Sequence, residues 1–489
     1  MFQLKNEQHK DMRILKIILI IILLLTIGIA SFGYWSIRSG NLQKAVVNKV
    51  ANQYINNPIE KNLLQTVLGF EKPRTYLILF LNNTEMRPGG GFIGAYALLQ
   101  IDKGTPHLLK VEGTEILDNT GKKDFESIAP APLTKYLKVS RWYFRDSNWS
   151  PDFSSSSQKS IELFLKQGGL GNVGHIDAVI GFTPSVIEEI LKIHGPIKMN
   201  GEEFNSANFT EKLEYEVEYG YKSKGIEFDQ RKNMLRDLAH ALLANLRYDV
   251  LMNWQKYYDL SQRLLKEKQI VFYAQNNEEQ NILINKDWAG KMKTNSGDYL
   301  LWADANLGAL KTDFAITRTL DYTILATSTD KFIATAKMKF VHQGKFDWRT
   351  SRYRDYVRVF VPVGSRLIKV TGSMEADKSS KQGMIDQGIE NGRQWFGSYI
   401  SIEPGRTAEL SFQYYLSENI VSDIKNGEYN LLVQKQIGTN NNKLTLGLAF
   451  GKKLVSATPG EKSDKHGDDR YDLLTDLTED REFKVIMEN

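Results

Sequence analysis

The sequence predicts a mixed α/β domain with flanking helices, followed by an all-β, immunoglobulin-like sandwich, behind one N-terminal transmembrane helix. Three observations carry this reading. Residues 17–35 contain no charged side chain and have the length of a bilayer span. Between residues 72 and 311, apolar runs of strand length alternate with segments of helical period. From 312 to 457 the chain is a series of alternating runs separated by turn residues, with no helical pattern between them.

A chain of 489 residues is too long for one hydrophobic core and implies several domains. Its 42% hydrophobic and 11% aromatic content is ample for globular cores. A formal charge of +5 is small for this length, and no recognition helix or aromatic RNA motif is present, so no nucleic-acid partner is expected. There are no cysteines, which excludes disulfides, thiolate metal sites and a cysteine nucleophile. The seven histidines form no pair at helical spacing, which argues against zinc.

Residues 1–16 carry Lys5, Lys10, Arg13 and Lys16, a slight basic excess over Arg38, Lys44 and Lys49 beyond the span. That places the N-terminus in the cytoplasm and the bulk of the chain outside, anchored in the cell membrane by a single pass. Tyr34 and Trp35 fit an aromatic belt. A cleavable signal peptide is the competing reading, with Gly28-Ile29-Ala30 a poor small-residue site. Residues 36–71 read as a helical stalk interrupted at Pro58.

The α/β domain, 72–311, opens with apolar runs at 75–81, 95–101 and 107–112. Between the first two lies Asn82-Asn83-Thr84-Glu85-Met86-Arg87-Pro88-Gly89-Gly90-Gly91-Phe92-Ile93-Gly94. Gly89, Gly90 and Gly91 can turn successive N–H groups into one concavity, and Arg87 can add a planar fork of donors, a set that suits an anion. The plain alternative is a tight connection with Arg87 paired to Glu85. Residues 141–153 hold Arg141, Arg145, Asp146, Asp152 and five aromatic rings. Read functionally they form a binding wall: arginines for an anion, Asp146 or Asp152 for a divalent cation such as Mg2+, and rings for a sugar or lipid face. Read structurally they are a buried loop pinned by Arg–Asp pairs. Ser155–Ser157 can cap a helix over 158–166. A strand at 176–182, a helix opened by Thr183-Pro184 and closed at His194-Gly195, and an extended piece from Ile197 make a strand–helix–strand unit. Helices follow at 209–221, 229–246 and 254–266. Arg231, in the first turn of the second, opposes the helix dipole unless an anion lies beside it.

The sandwich, 312–457, is read from runs at 320–325, 332–341, 356–362, 367–371, 395–402, 407–415, 429–436 and 444–450. Residues 458–489 are acidic-biased and read as a tail, with at most one short helix at 472–483.

The loop at 82–94 resembles the N-N-x-E-x-R-P-x-G-G-F-I-G signature of a bacterial family known only as domain of unknown function 4012. Arg145-Asp146-Ser147-Asn148-Trp149-Ser150-Pro151-Asp152-Phe153, Asp304-Ala305-Asn306-Leu307-Gly308, residues 356–362 and residues 429–438 continue that resemblance. More remotely, the chain is similar to the LytR-CpsA-Psr envelope glycopolymer transferases, through residues 176–180, Gly195 and Arg231. The S-I-P-R-D motif of those transferases is missing. The resemblance implies a phosphotransferase that moves a polyprenyl-diphosphate-linked glycan to a wall acceptor, with Arg87, Arg141, Arg145 and Arg231 on the diphosphate. The alternative is a non-catalytic surface protein that binds glycan or protein. No G-x-S-x-G elbow, phosphate loop or dinucleotide fingerprint points elsewhere.

Overall fold

A computed structural model describes residue 58 onward, apart from residues 172, 173, 200, 329, 330, 462–466 and 489, together with residues 44 and 48. The expected membrane helix and most of the expected stalk lie outside these residues. Among the described residues no helix is long and apolar enough to cross a membrane.

Helix α1 (Pro58–Val67) leads into a five-stranded mixed sheet in the order β3-β2-β1-β4-β7. Its strands are β1 (Arg74–Asn82), β2 (Phe92–Asp102), β3 (Thr105–Gly113), β4 (Ala178–Phe182) and β7 (Ile270–Ala274). Only β1 and β4 run parallel; the other neighbours are antiparallel. Strand periodicity sorts the faces. Leu77, Leu79 and Leu81 of β1 pack with Val179, Val271 and helix α3 (Phe153–Lys166) through Phe153, Ile161 and Phe164. Ile78 and Phe80 point the other way. On that side helices α4 (Pro184–His194), α5 (Phe209–Tyr215), α6 (Asn233–Met252) and α7 (Trp254–Lys266) enclose a second core around Leu191, Phe209, Leu242 and Leu264. A short helix, α2 (Thr114–Thr120), precedes α3.

Two local expectations change. The serines at 155–157 do not cap α3; Asp152 does, accepting from the Ser155 N–H at 2.8 Å. The extended piece after α4 does not return to the main sheet. It pairs with its neighbour as a hairpin, β5 (Ile197–Met199) with β6 (Glu202–Phe204), so no strand–helix–strand crossover forms there. Gly201, at φ +79°, allows the chain to reverse immediately after β5.

The C-terminal part is two packed sheets sharing one core. One sheet has six strands, β12-β15-β10-β9-β17-β19, and the other seven, β13-β14-β11-β8-β16-β20-β18. The first comprises β9 (Ile316–Ser328), β10 (Lys331–His342), β12 (Arg366–Thr371), β15 (Thr407–Tyr415), β17 (Lys443–Ala449) and β19 (Arg470–Asp476). The second comprises β8 (Asp298–Ala303), β11 (Tyr353–Val361), β13 (Asp386–Glu390), β14 (Arg393–Ile402), β16 (Glu428–Gln434), β18 (Leu454–Thr458) and β20 (Arg481–Met487). Parallel pairs β8·β16 and β9·β17 set it apart from an immunoglobulin sandwich, whose sheets are antiparallel with seven to nine strands in all. Strand β8 lies before the expected boundary at 311/312, yet every one of its residues is buried in the seven-stranded sheet.

The expected acidic tail is structural. Strands β19 and β20 come from it, and Tyr471, Phe483, Val485 and Met487 join the core. Alternation explains this: in β20 Phe483, Val485 and Met487 point inward, while Glu482 and Lys484 occupy the other face.

Candidate functional site

The loop between β1 and β2 is held from both parts of the molecule. Met86 N–H donates to Asp313 Oδ2 at 2.9 Å, and Asn306 N–H donates to Met86 O at 3.0 Å. The Gln436 amide donates to the carbonyls of Arg87 (3.1 Å) and Asp304 (2.9 Å). Asn83 Nδ2 reaches Gly438 O at 2.9 Å. The segments that carry the sequence signature therefore meet at one junction.

The arginines expected to bind an anion have partners within the chain. Arg87 is buried. Its Nε donates to Asp146 Oδ1 at 3.2 Å, Nη1 to the carbonyls of Asn306 and Met86, and Nη2 lies 3.5 Å from Glu85. Arg145 joins the same group, 3.6 Å from Asp146 and 3.2 Å from Asp118. Arg141 donates to Lys123 and Phe125 carbonyls. Arg231 pairs with Glu115 at 3.0 Å and Glu218 at 3.2 Å, so the anion anticipated beside that helix start is a carboxylate of the protein. Arg87 and Arg145 are brought together on Asp146; Arg231 sits apart, against Glu115.

Gly89, Gly90 and Gly91 do not line an open concavity. The Gly89 N–H donates to Asn148 O at 3.0 Å, and the Asn148 amide donates to Gly91 O at 2.6 Å. A Cβ on Gly90, at φ +117°, would stand 2.8 Å from Ile437. Asp146 and Asp152 do not fit a divalent cation. Asp146 faces two guanidinium groups, and both Asp152 oxygens accept backbone N–H groups, from Ser155 and Met292. Among the described residues no three His, Asp or Glu side chains gather as a metal site. The aromatic loop is packing: Phe144, Trp149 and Phe153 are buried, and Trp149 stacks on Tyr356 at 6.0 Å.

What sequence reasoning missed is a cleft of about 210 Å3 under the second face of the sheet. Phe80, Phe92, Gly94 and Phe182 form its floor, α4 and α5 contribute Ile187 and Leu213, and α6 contributes Leu235, Leu238 and Leu242. The helical stripe on α6 signals an apolar face, but not that the face is incompletely covered. One end is charged, lined by Glu214, Glu218, Lys232 and Lys311. Glu214 is held by Thr84 and by Arg349 Nε at 2.7 Å, and Lys232 by Glu115 and Gly94 O. Burial pulls the Lys232 ammonium below its usual range against the opposing pull of Glu115. For Lys311, burial is outweighed by Glu85, Glu214 and Glu218, which hold it above that range. Glu115 lies low because Lys232 and Arg231 overcome its desolvation, while burial lifts Glu85 despite Arg87 and Lys311. Arg231, Lys232, Lys311 and Arg349 thus face Glu85, Glu115, Glu214 and Glu218, a balanced rim on an apolar interior. A wider groove of about 620 Å3, with a mixed polar and apolar lining, lies elsewhere, between the 284–297 segment and β16 and β20.

Residues 71–218 match the family described as Protein of unknown function (DUF4012). This segment is a domain of that family. It spans β1 to the helical segment after α5, and includes the junction loop and part of the cleft wall. No curated protein sequence matches the chain. Among solved structures, a candidate nutrient-binding protein from Legionella pneumophila aligns at 8% identity and a TM-score of 0.24, over 39% of this chain and 71% of its own. An M1 zinc metallopeptidase from Deinococcus radiodurans aligns at 8% identity and a TM-score of 0.17, over 35% of this chain and 42% of its own. The chain thus spans less than half of that peptidase.

Proposed function

We propose that the protein is a membrane-tethered, extracytoplasmic binding protein of the bacterial cell envelope, and that its α/β domain holds the apolar chain of an amphiphile. The cleft carries this reading: a mostly apolar interior closed at one end by charged side chains is the form of a small-molecule site. At about 30 Å3 per water-sized unit, its 210 Å3 holds about seven such units, a short stretch of hydrocarbon. Burying a methylene contributes about 0.8 kcal/mol, so each one held in the cleft adds to binding before association costs. A polyprenyl-diphosphate-linked glycan, the ligand implied by the remote transferase resemblance, remains a candidate amphiphile. Phosphoryl transfer is the lesser reading, because the arginines and aspartates it would need are engaged with one another and with the backbone.

The test uses the full chain extracted in mild detergent. Gly94 lines the cleft, and a Cβ there would meet nothing nearer than Phe92 at 3.8 Å, so Gly94→Leu inserts a side chain where the ligand would lie. We expect native mass spectrometry to find an amphiphile on the wild type, or binding of added farnesyl diphosphate, and loss of either in Gly94→Leu with the melting temperature kept. Absence of both from the wild type overturns the reading. Turnover of a lipid-linked diphosphate by the purified protein would establish the transferase instead.

A further inference from the structure

The wall of the cleft has an outer face that the site does not use. Leu213, Glu214, Val217 and Glu218 of α5 and its π-helical continuation (Glu216–Gly220) line the cleft. Tyr215 and Tyr219, one turn apart, therefore fall on the opposite side. They are 46% and 43% exposed, with ring centroids 6.2 Å apart and planes within 25°. Trp348, from the loop between β10 and β11, meets both edge-on at 5.4 Å and 5.6 Å. That loop is fixed. Asp347 accepts the N–H groups of Arg349 and Thr350 at 2.8 Å and 2.7 Å, and Arg349 is tied to Glu214. Phe346, 63% exposed, and Phe314, 52% exposed beneath the Arg349 guanidinium at 3.8 Å, extend the patch.

Exposed rings held this firmly constitute a binding surface whose ordering cost is already met. Charge decides between occupants. A surface for an anionic bilayer is ringed by lysine and arginine. Here the exposed carboxylates of Glu211 and Asp347 stand with the exposed Lys345, and Arg349, itself buried, reaches Glu211 at 3.6 Å from beneath; the Glu211 side chain is 63% exposed. A mixed-sign polar border around electron-rich ring faces suits a ligand with C–H groups on one side and hydroxyls at its edge. We propose that Tyr215, Tyr219 and Trp348 form a stacking platform for the sugar rings of a neutral glycan, with Glu211 and Asp347 accepting from its hydroxyls.

This proposal stands apart from the lipid reading of the cleft, and the two are read out separately. The full chain in mild detergent is titrated with cellohexaose, maltohexaose and chitohexaose by calorimetry, and its lipid content is measured in the same samples. Binding of at least one hexasaccharide is expected, weakened at least tenfold by Trp348→Ala and by Tyr219→Ser, and partly restored in Trp348→Phe. Tyr219→Ser alters a half-exposed ring, so it decides the matter if Trp348→Ala fails to fold. No saccharide binding at millimolar concentration, or binding that both substitutions leave unchanged, overturns the proposal. So does wild-type binding to phosphatidylglycerol vesicles that Trp348→Ala abolishes, which would make the patch a bilayer contact.

Discussion

Arg87 and Asp146 show what a buried ion pair implies for mutation. Both are almost fully enclosed, so removing the arginine leaves a carboxylate with only Arg145, at 3.6 Å and partly exposed, to offset it. Breaking such a pair costs about 3–5 kcal/mol. Arg87→Ala should therefore lower stability by that order in denaturant titration, and Asp146→Asn in the same chain should recover part of the loss. A change below about 1 kcal/mol, the range of a surface pair, would contradict the burial argument. The pairing of Arg87 with Glu85 was legible as an alternative, because the two are near neighbours. Asp146, 59 residues away, was legible only as one of several carboxylates that could lie among the arginines, and the Asn306 carbonyl, 219 residues away, was not legible at all. The glycine run announced unusual backbone angles correctly, with Gly90 and Gly91 at φ +117° and +135°. What those angles serve depends on Asn148 and Ile437, which no local pattern names.

Elements with their own punctuation were read well. Thr183, Pro184 and Gly195 bound α4 as expected, although the Thr183 hydroxyl donates to Gln269 at 2.6 Å instead of capping. Helix α7 also falls where periodicity puts it. The C-terminal strands were obscured by acidic composition. In β19 only Tyr471 is buried, so its alternation is faint, whereas Phe483, Val485 and Met487 of β20 carried a period-two signal that could have been found. Loss of these side chains should be severe, since truncating a single large core residue costs about 2–5 kcal/mol. A chain ending at residue 458 should lose its near-ultraviolet circular dichroism and cooperative melting. A cooperative transition near the full-length temperature would show that the sandwich closes without β19 and β20. For the same reason a fragment from 312 to 450 lacks β8 and the three last strands, and should not fold alone.

At the scale of the molecule, the junction between the two parts contains a second buried charge cluster. Lys435 sits there fully enclosed, its ammonium donating to Glu267 O at 2.7 Å, beside Lys268 and Asp480, which pair at 2.6 Å. Burial, and then Lys268, pulls Lys435 down to about 7 against Asp480 and Glu267. In the unfolded chain it titrates at the usual lysine value, so between the two the unfolded state binds more protons. Stability from this group thus rises as pH rises from about 7 and is lost as pH falls back through it, by up to about 1.4 kcal/mol per pH unit. Lys435→Met should abolish that slope. Unfolding free energies between neutral and mildly alkaline pH check it; parallel curves for the two proteins would count against the assignment.

The hydrogen bond from Asn83 to Gly438 spans 355 residues. During synthesis at about 5–20 residues per second, that separation amounts to roughly 20 to 70 s. Throughout this interval the loop at 82–94 exists without the surface that closes it. A Cβ on Gly438 would stand 2.3 Å from Gly90 O, so the late segment must arrive as bare backbone to fit. The first domain cannot reach its final state as it emerges; its signature loop is finished by a segment made 355 residues later.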